Sequence, residues 1–139
     1  MKVIGFNFDK ISAEKLKDRP DNLKISTNID IVDIKDVKTD ILKTKEQLLH
    51  AKFSHTIKYE PGFANMELKG TVLLTLEEKE AKEVLKEWKK KQMPEGFRIT
   101  LFNIILRKSA IKALQLEEEL NLPLHISLPV LRSGKEKEK

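Results

Sequence analysis

Cysteine is absent from this chain of 139 residues. That excludes disulfides and thiolate metal sites, and it suits a reducing compartment. Aromatic residues make up only 6%, with one Trp and one Tyr, too few for a platform on which bases stack. The glycines are scattered: Gly62, Gly70, Gly96 and Gly134 stand too far apart for a phosphate loop. No serine lies in a nucleophile-elbow context. No apolar run approaches the ~20 residues of a membrane span. Met1–Phe8 has neither a long apolar core nor a small-residue cleavage pattern, so no signal peptide is expected. Together these absences predict a soluble cytoplasmic protein with no cofactor, no metal and no enzymatic activity.

Charge, by contrast, is abundant. Asp, Glu, Lys and Arg account for 35% of the residues, mostly Lys and Glu, while glutamine is scarce. That bias resembles the surface of a thermophile's protein. The net charge of +5 is modest and serves solubility as readily as binding. The length suits one domain with one core, taken as residues 1–131, followed by a charged tail, 132–139, that predicts disorder.

Hydrophobic periodicity is clearest from Leu48 to Leu76. Ala51, Phe53, Ile57 and Tyr59 alternate on odd positions, and Met66, Leu68, Val72, Leu74 and Leu76 on even ones. Glu60-Pro61-Gly62-Phe63 lies between the two runs. Period two on both sides of a Pro-Gly turn predicts a hairpin with one buried and one wet face. Ile4, Phe6 and Phe8 predict a first strand reaching about Ile11. Ser12 to Asn22 reads as a short polar helix or loop, with Ser12 as an N-cap and Arg19-Pro20-Asp21-Asn22 as a break. A second strand spans Leu23 to about Val37. Its phase slips at Ile31-Val32, which predicts a bulge or a change of sheet neighbour. Thr39 to Glu46 is a polar connection.

Thr75 and Glu78 have the spacing of a capping box for a first helix. Ala81, Val84, Leu85 and Trp88 share one face of it, and Met93-Pro94-Glu95-Gly96 stops it. A longer helix is expected from about Ile99 to Leu120. Its first half is apolar on nearly every side; its second half keeps one stripe, Ala110, Ala113, Leu116 and Leu120. A helix apolar all round needs cover on more than one side. Leu122–Val130 is an extended apolar segment. The order of elements, four strands and then two helices, predicts an α+β fold: a four-stranded antiparallel sheet with both helices on one face.

Three constellations bear on function. His50 and His55 have opposite parity in one strand, so they point to opposite faces and do not converge on a metal with each other. The acidic pairs, Glu77-Glu78 and Glu117-Glu118-Glu119, read as solvated helix charge. Lys82, Lys86, Lys89, Lys90 and Lys91, joined by Arg98, Arg107 and Lys108, could track a phosphate backbone, although Glu80, Glu83 and Glu87 interleave with them.

At the level of order and local pattern the chain resembles the SecB export-chaperone family. The likeness runs from Ile4 to Leu131. It rests on the hairpin ending in Met66-Glu67-Leu68-Lys69-Gly70-Thr71-Val72-Leu73-Leu74, and on the entry to the long helix through Leu101-Phe102-Asn103-Ile104-Ile105-Leu106-Arg107. It rests also on the two prolines of Pro123-Leu124-His125-Ile126-Ser127-Leu128-Pro129-Val130. The resemblance implies a SecB-like fold, dimers or tetramers built through sheets and long helices, and an ATP-independent holdase that keeps unfolded client segments in apolar grooves. The family's acidic surface and tail are replaced here by net positive charge and by Lys135-Glu136-Lys137-Glu138-Lys139, which puts docking to the export motor in doubt. The residues expected to contact a client or a second subunit are Phe53, Ile57, Phe63, Phe97, Phe102 and Leu106. The alternative expectation is a basic homodimer that binds or bridges ribosomal subunits through its lysine-rich helix.

Overall fold

The computed structural model describes residues 1–18, 22–38 and 45–133. Four strands, β1 (Lys2–Lys15), β2 (Lys24–Val37), β3 (Glu46–Glu60) and β4 (Ala64–Glu77), precede two helices, α1 (Glu78–Trp88) and α2 (Glu95–Leu120). All pairings are antiparallel, and the strand order is β1-β4-β3-β2. The predicted Thr39–Glu46 connection falls largely outside the described residues, as do the Arg19-Pro20-Asp21 break and the tail from Gly134.

The β3–β4 hairpin has the anticipated parity. Its inner row, Leu49, Ala51, Phe53, His55, Ile57 and Tyr59, lies opposite Leu74, Val72, Gly70, Leu68, Met66 and Ala64, and all of these residues are buried. Gly62 closes the turn at φ +56°, in the left-handed region that glycine enters without a Cβ penalty. β1 ends opposite Ala64 and β2 begins opposite Glu60, on either side of that turn. Leu16 N–H donates to the Phe63 carbonyl at 2.7 Å and ties the end of β1 to it.

The phase slip in β2 is a bulge. Ile31 pairs with Phe53 and Asp33 with Lys52, leaving Val32 without a partner. The extra residue turns Ile34 onto the face that Ile29 and Ile31 already occupy, where it is buried. Three boundaries differ from expectation. β1 runs on through Ser12 and Ala13, which pair with Glu67 and Met66, because Ala13 packs against the core; Ser12 therefore caps no helix. Thr75 is a buried β4 residue paired with Lys2 and Leu48; α1 begins after Glu77, without a side-chain cap. α2 begins at Glu95, four residues early, because Pro94 fits the residue just before a helix. That adds Phe97 to its buried side.

Both helices cover one face of the sheet. α1 contributes Ala81 and Val84, and α2 contributes Phe97, Leu101 and Ile105, to an apolar cluster built on Leu49, Ala51, Phe53, Val72 and Leu74. Farther along the same face, Ala113 and Leu122 close a second cluster over Ile57, Tyr59, Met66 and Leu68. α2 ends at Asn121, which takes φ +53°, while Leu122 N–H donates to the Glu117 carbonyl at 2.8 Å.

Candidate functional site: an uncovered helix flank and a buried polar seam

α2 carries two rows at a spacing of four. The inner row is Phe97, Leu101, Ile105, Ser109, Ala113 and Glu117, all buried. Beside it runs Phe102, Leu106, Ala110 and Leu114, one position on at each step and therefore an adjacent flank of the same helix. None of these four belongs to either core cluster or packs against one. Leu106 is 44% exposed, and Ile99 and Ile111 on the outer side are 48% and 55% exposed. The free edge of β1 adds Val3, Ile4 and Ile11, also exposed. On its inner face Phe6, Phe8 and Phe53 form an aromatic group, with Phe6 and Phe53 stacked at 5.3 Å between ring centres. Gly70 makes room for it: a Cβ there would stand 2.8 Å from the Phe53 ring and 2.3 Å from the Asn7 carbonyl oxygen.

The C-terminal half of α2 is held to the sheet differently. Glu117 is completely buried. Tyr59 O–H donates to its Oε2. The His125 backbone N–H lies 3.1 Å from Oε2, and His125 Nδ1 lies 2.9 Å from Oε1. The Pro123 carbonyl oxygen is a further acceptor for Tyr59, at 2.9 Å. This carboxylate thus fastens the segment after α2 to the sheet. Burial and, second, the Glu117 carboxylate push the Tyr59 phenol far above its usual range. Next to this knot is His55, 1% exposed, with no hydrogen-bond partner among the described residues on either ring nitrogen. Desolvation and, second, the neighbouring His125 push its pKa down to about 4. The Ser109 hydroxyl is also buried without a partner. His55 sits between Phe53 and Ile57, and Ser109 between Ile105 and Ala113, so both fall where the two apolar clusters meet.

No family model matches the chain, and no curated protein is similar to it. Among solved structures it is similar to the SecB-like chaperone Rv1957 of Mycobacterium tuberculosis, determined with a ChAD peptide from the HigA1 antitoxin. The identity is 13%, the TM-score 0.53, and the alignment covers 94% of this chain and 87% of that one. The fold is SecB-like.

Within the SecB-like framework the six expected contact residues separate. Phe53, Ile57, Phe63 and Phe97 are interior: they fill the two clusters and offer no surface in the closed chain, because hairpin parity and the early start of α2 turn them inward. Phe102, half-buried, and Leu106, exposed, lie together on the second flank of α2. The basic residues Lys82, Lys86, Lys89, Lys90, Lys91, Arg98, Arg107 and Lys108 are all exposed. Yet α1 itself holds four glutamates against three lysines. Lys82 pairs with Glu78 at 3.2 Å, and Lys91 lies over the Trp88 ring at 4.7 Å. Within α1, acids therefore alternate with the lysines, as the sequence pattern anticipates.

A surface cleft of about 590 Å³ is lined by Lys45, Glu46, Glu77, Glu78, Lys79 and Lys82, acids and bases in equal number. Among the described residues no group of three His, Asp or Glu is placed to hold a metal. No described helix is long and apolar enough to cross a membrane. Glu117, expected as solvated surface charge, is the most buried acid of the seam because the inner row of α2 continues through it. A row of period four extended past Ala113, and a lone Tyr on the buried parity of β3, were the signals for it.

Proposed function

We propose that this chain is an ATP-independent holdase that binds apolar segments of unfolded polypeptides and works as a homo-oligomer. The observation that carries the reading is the second apolar flank of α2, Phe102-Leu106-Ala110-Leu114, which lies outside both core clusters and stays only half-buried, with Leu106 exposed. Apolar burial is non-directional and worth ~25 cal/mol per Å², which suits binders that accept many sequences. The SecB-like fold supports the same reading, since its structural neighbour is a chaperone holding a peptide. On this view the α2 flank meets a second copy, and the apolar edge of β1, with Val3, Ile4 and Ile11, extends the surface available to a client.

The test is suppression of light scattering by a chemically denatured client diluted with increasing amounts of this protein. Suppression at near-stoichiometric amounts without nucleotide is the expected result. Unchanged scattering at a several-fold excess removes the reading.

A further inference from the structure

We propose that His55, Tyr59, Glu117 and His125 form an acid-sensitive latch, in which protonation of His55 releases the C-terminal half of α2 and the segment behind it from the sheet. The proposal deepens the holdase reading and rests on it for its purpose: the surface uncovered is the inner face of β3 and β4, with Ile57, Tyr59, Met66 and Leu68. It stands on three structural observations. His55 is buried in the middle of that face, and both of its ring nitrogens lack partners. Among the described residues its strand neighbours carry no acid, and the one carboxylate of the seam, Glu117, is already engaged by Tyr59 and His125. Its cross-strand neighbours are Ile29 on β2 and Leu68 on β4, and its neighbours along the inner face of β3 are Phe53 and Ile57. The nearby titratable group from the C-terminal segment is His125, itself a base, and Tyr59 and Glu117 already bond one another.

The third observation is where the polar groups lie. The N-terminal half of α2 is fixed by Phe97, Leu101 and Ile105. The C-terminal half carries Ser109, Ala113 and Glu117 in the same row; its apolar anchors there are Ala113 and the half-buried Leu116 and Leu120, and the hydrogen bonds of Glu117 add to them. A charge appearing at His55 therefore acts on the half of α2 whose buried row includes two polar side chains, Ser109 and Glu117, where the N-terminal half has Phe97, Leu101 and Ile105. Burial places the His55 pKa at about 4, against an ordinary 6.5. Between those values the released form gains on the closed form by roughly two to three powers of ten.

The experiment uses the intact chain from pH 7.5 to 3.5. Ring signals of the three histidines, assigned by single substitutions, are followed by NMR, alongside amide exchange and binding of an apolar dye. The expected result is cooperative loss of protection in residues 109–125 and a rise in dye binding, in step with titration of His55, while β3, β4 and α1 stay protected. His55→Leu, which removes the proton site and suits apolar neighbours, should keep the chain closed at least one pH unit lower. Should that variant fail to fold, the wild-type His55 titration still decides. A His55 that titrates near 6.5 with the chain closed overturns the latch, as does loss of all protection at once. Client suppression is measured in parallel at pH 7.5 and 4.5. Release without any gain in suppression leaves the latch standing and counts against the holdase.

Discussion

Glu117→Ala is the sharpest perturbation this structure offers. The substitution removes a fully buried carboxylate that accepts from Tyr59, from the His125 backbone N–H and from His125 Nδ1. Tyr59 retains the Pro123 carbonyl as an acceptor, so the groups left stranded are the two His125 donors. A buried donor without a partner costs about 1–3 kcal/mol, so the two together cost about 2–5 kcal/mol, allowing for partial escape of the segment into water. Glu118 and Glu119 are exposed, and their alanine variants should stay within about 0.5 kcal/mol of wild type. Equilibrium unfolding in urea at pH 7 measures all three. A cycle of Glu117→Gln with Tyr59→Phe then isolates the bond between them, with an expected interaction energy above about 1 kcal/mol. If Glu117→Ala destabilises no more than Glu119→Ala, the seam is not a stabilising network and the account of how α2 is fastened fails.

In the proposed homo-oligomer, Leu106→Glu should lower solution mass toward a single chain while leaving circular dichroism unchanged, since a buried Leu contributes about 1.5–3 kcal/mol to an interface; unaltered mass in sedimentation would remove the α2 flank as the proposed interface. Gly70→Ala should destabilise by about 2 kcal/mol or more, because its Cβ would fall 2.3 Å from the Asn7 carbonyl oxygen, whereas Gly96→Ala meets nothing within 4 Å and should be neutral or stabilising. For pH, the folded value of His55, about 4, lies below its unfolded 6.5. Its contribution to stability is therefore complete above 6.5 and lost as pH falls toward 4, a change of about 3 kcal/mol that His55→Leu should remove from denaturation curves. Lys82→Ala breaks an exposed pair with Glu78 and should shift stability by less than about 0.5 kcal/mol.

Much of the fold is legible in the residues because one period dominates each element. The inner rows of β3 and β4 keep one parity from Leu49 to Tyr59 and from Ala64 to Leu74, and the slip at Ile31-Val32 marks the bulge that returns Ile34 to the core. Ends of elements are less legible. Ser12 and Thr75 have capping chemistry, but pairing with Glu67 and Lys2 outweighs a local cap worth about 1 kcal/mol. The candidate site divides along the same line. Phe102 and Leu106 stand out because a helix apolar on every side must find cover twice. The seam is hidden because a Glu among three consecutive glutamates looks solvated, and only its distance of four from Ala113 places it inside. Tyr59, counted as one apolar residue in a row, carries a hydroxyl that must be satisfied wherever the ring is buried. His125 reaches Glu117 only because Asn121 turns the chain back on itself, a reversal that hydrophobic periodicity does not encode.

The inner row of α2 changes chemistry along its length, and that gradient connects stability to function. From Phe97 to Ile105 the attachment is apolar burial, which tolerates small displacements and weakens little with pH. From Ser109 to Glu117 the apolar part shrinks to Ala113 and the half-buried Leu116, and a few directional bonds beside an unpartnered histidine complete it, bonds that hold only in one geometry and one protonation state. A helix fastened uniformly by either means would detach as a whole or not at all. Fastened as it is, α2 has a hinge end and a release end, with Leu101 and Ile105 on one side of Ser109 and Glu117 on the other. Ser109→Leu would extend the apolar attachment across that boundary. It should raise stability at pH 5 more than at pH 7.5, as read by amide exchange in residues 109–125. Equal effects at the two pH values would mean that the two halves of α2 move together and that the gradient has no mechanical consequence.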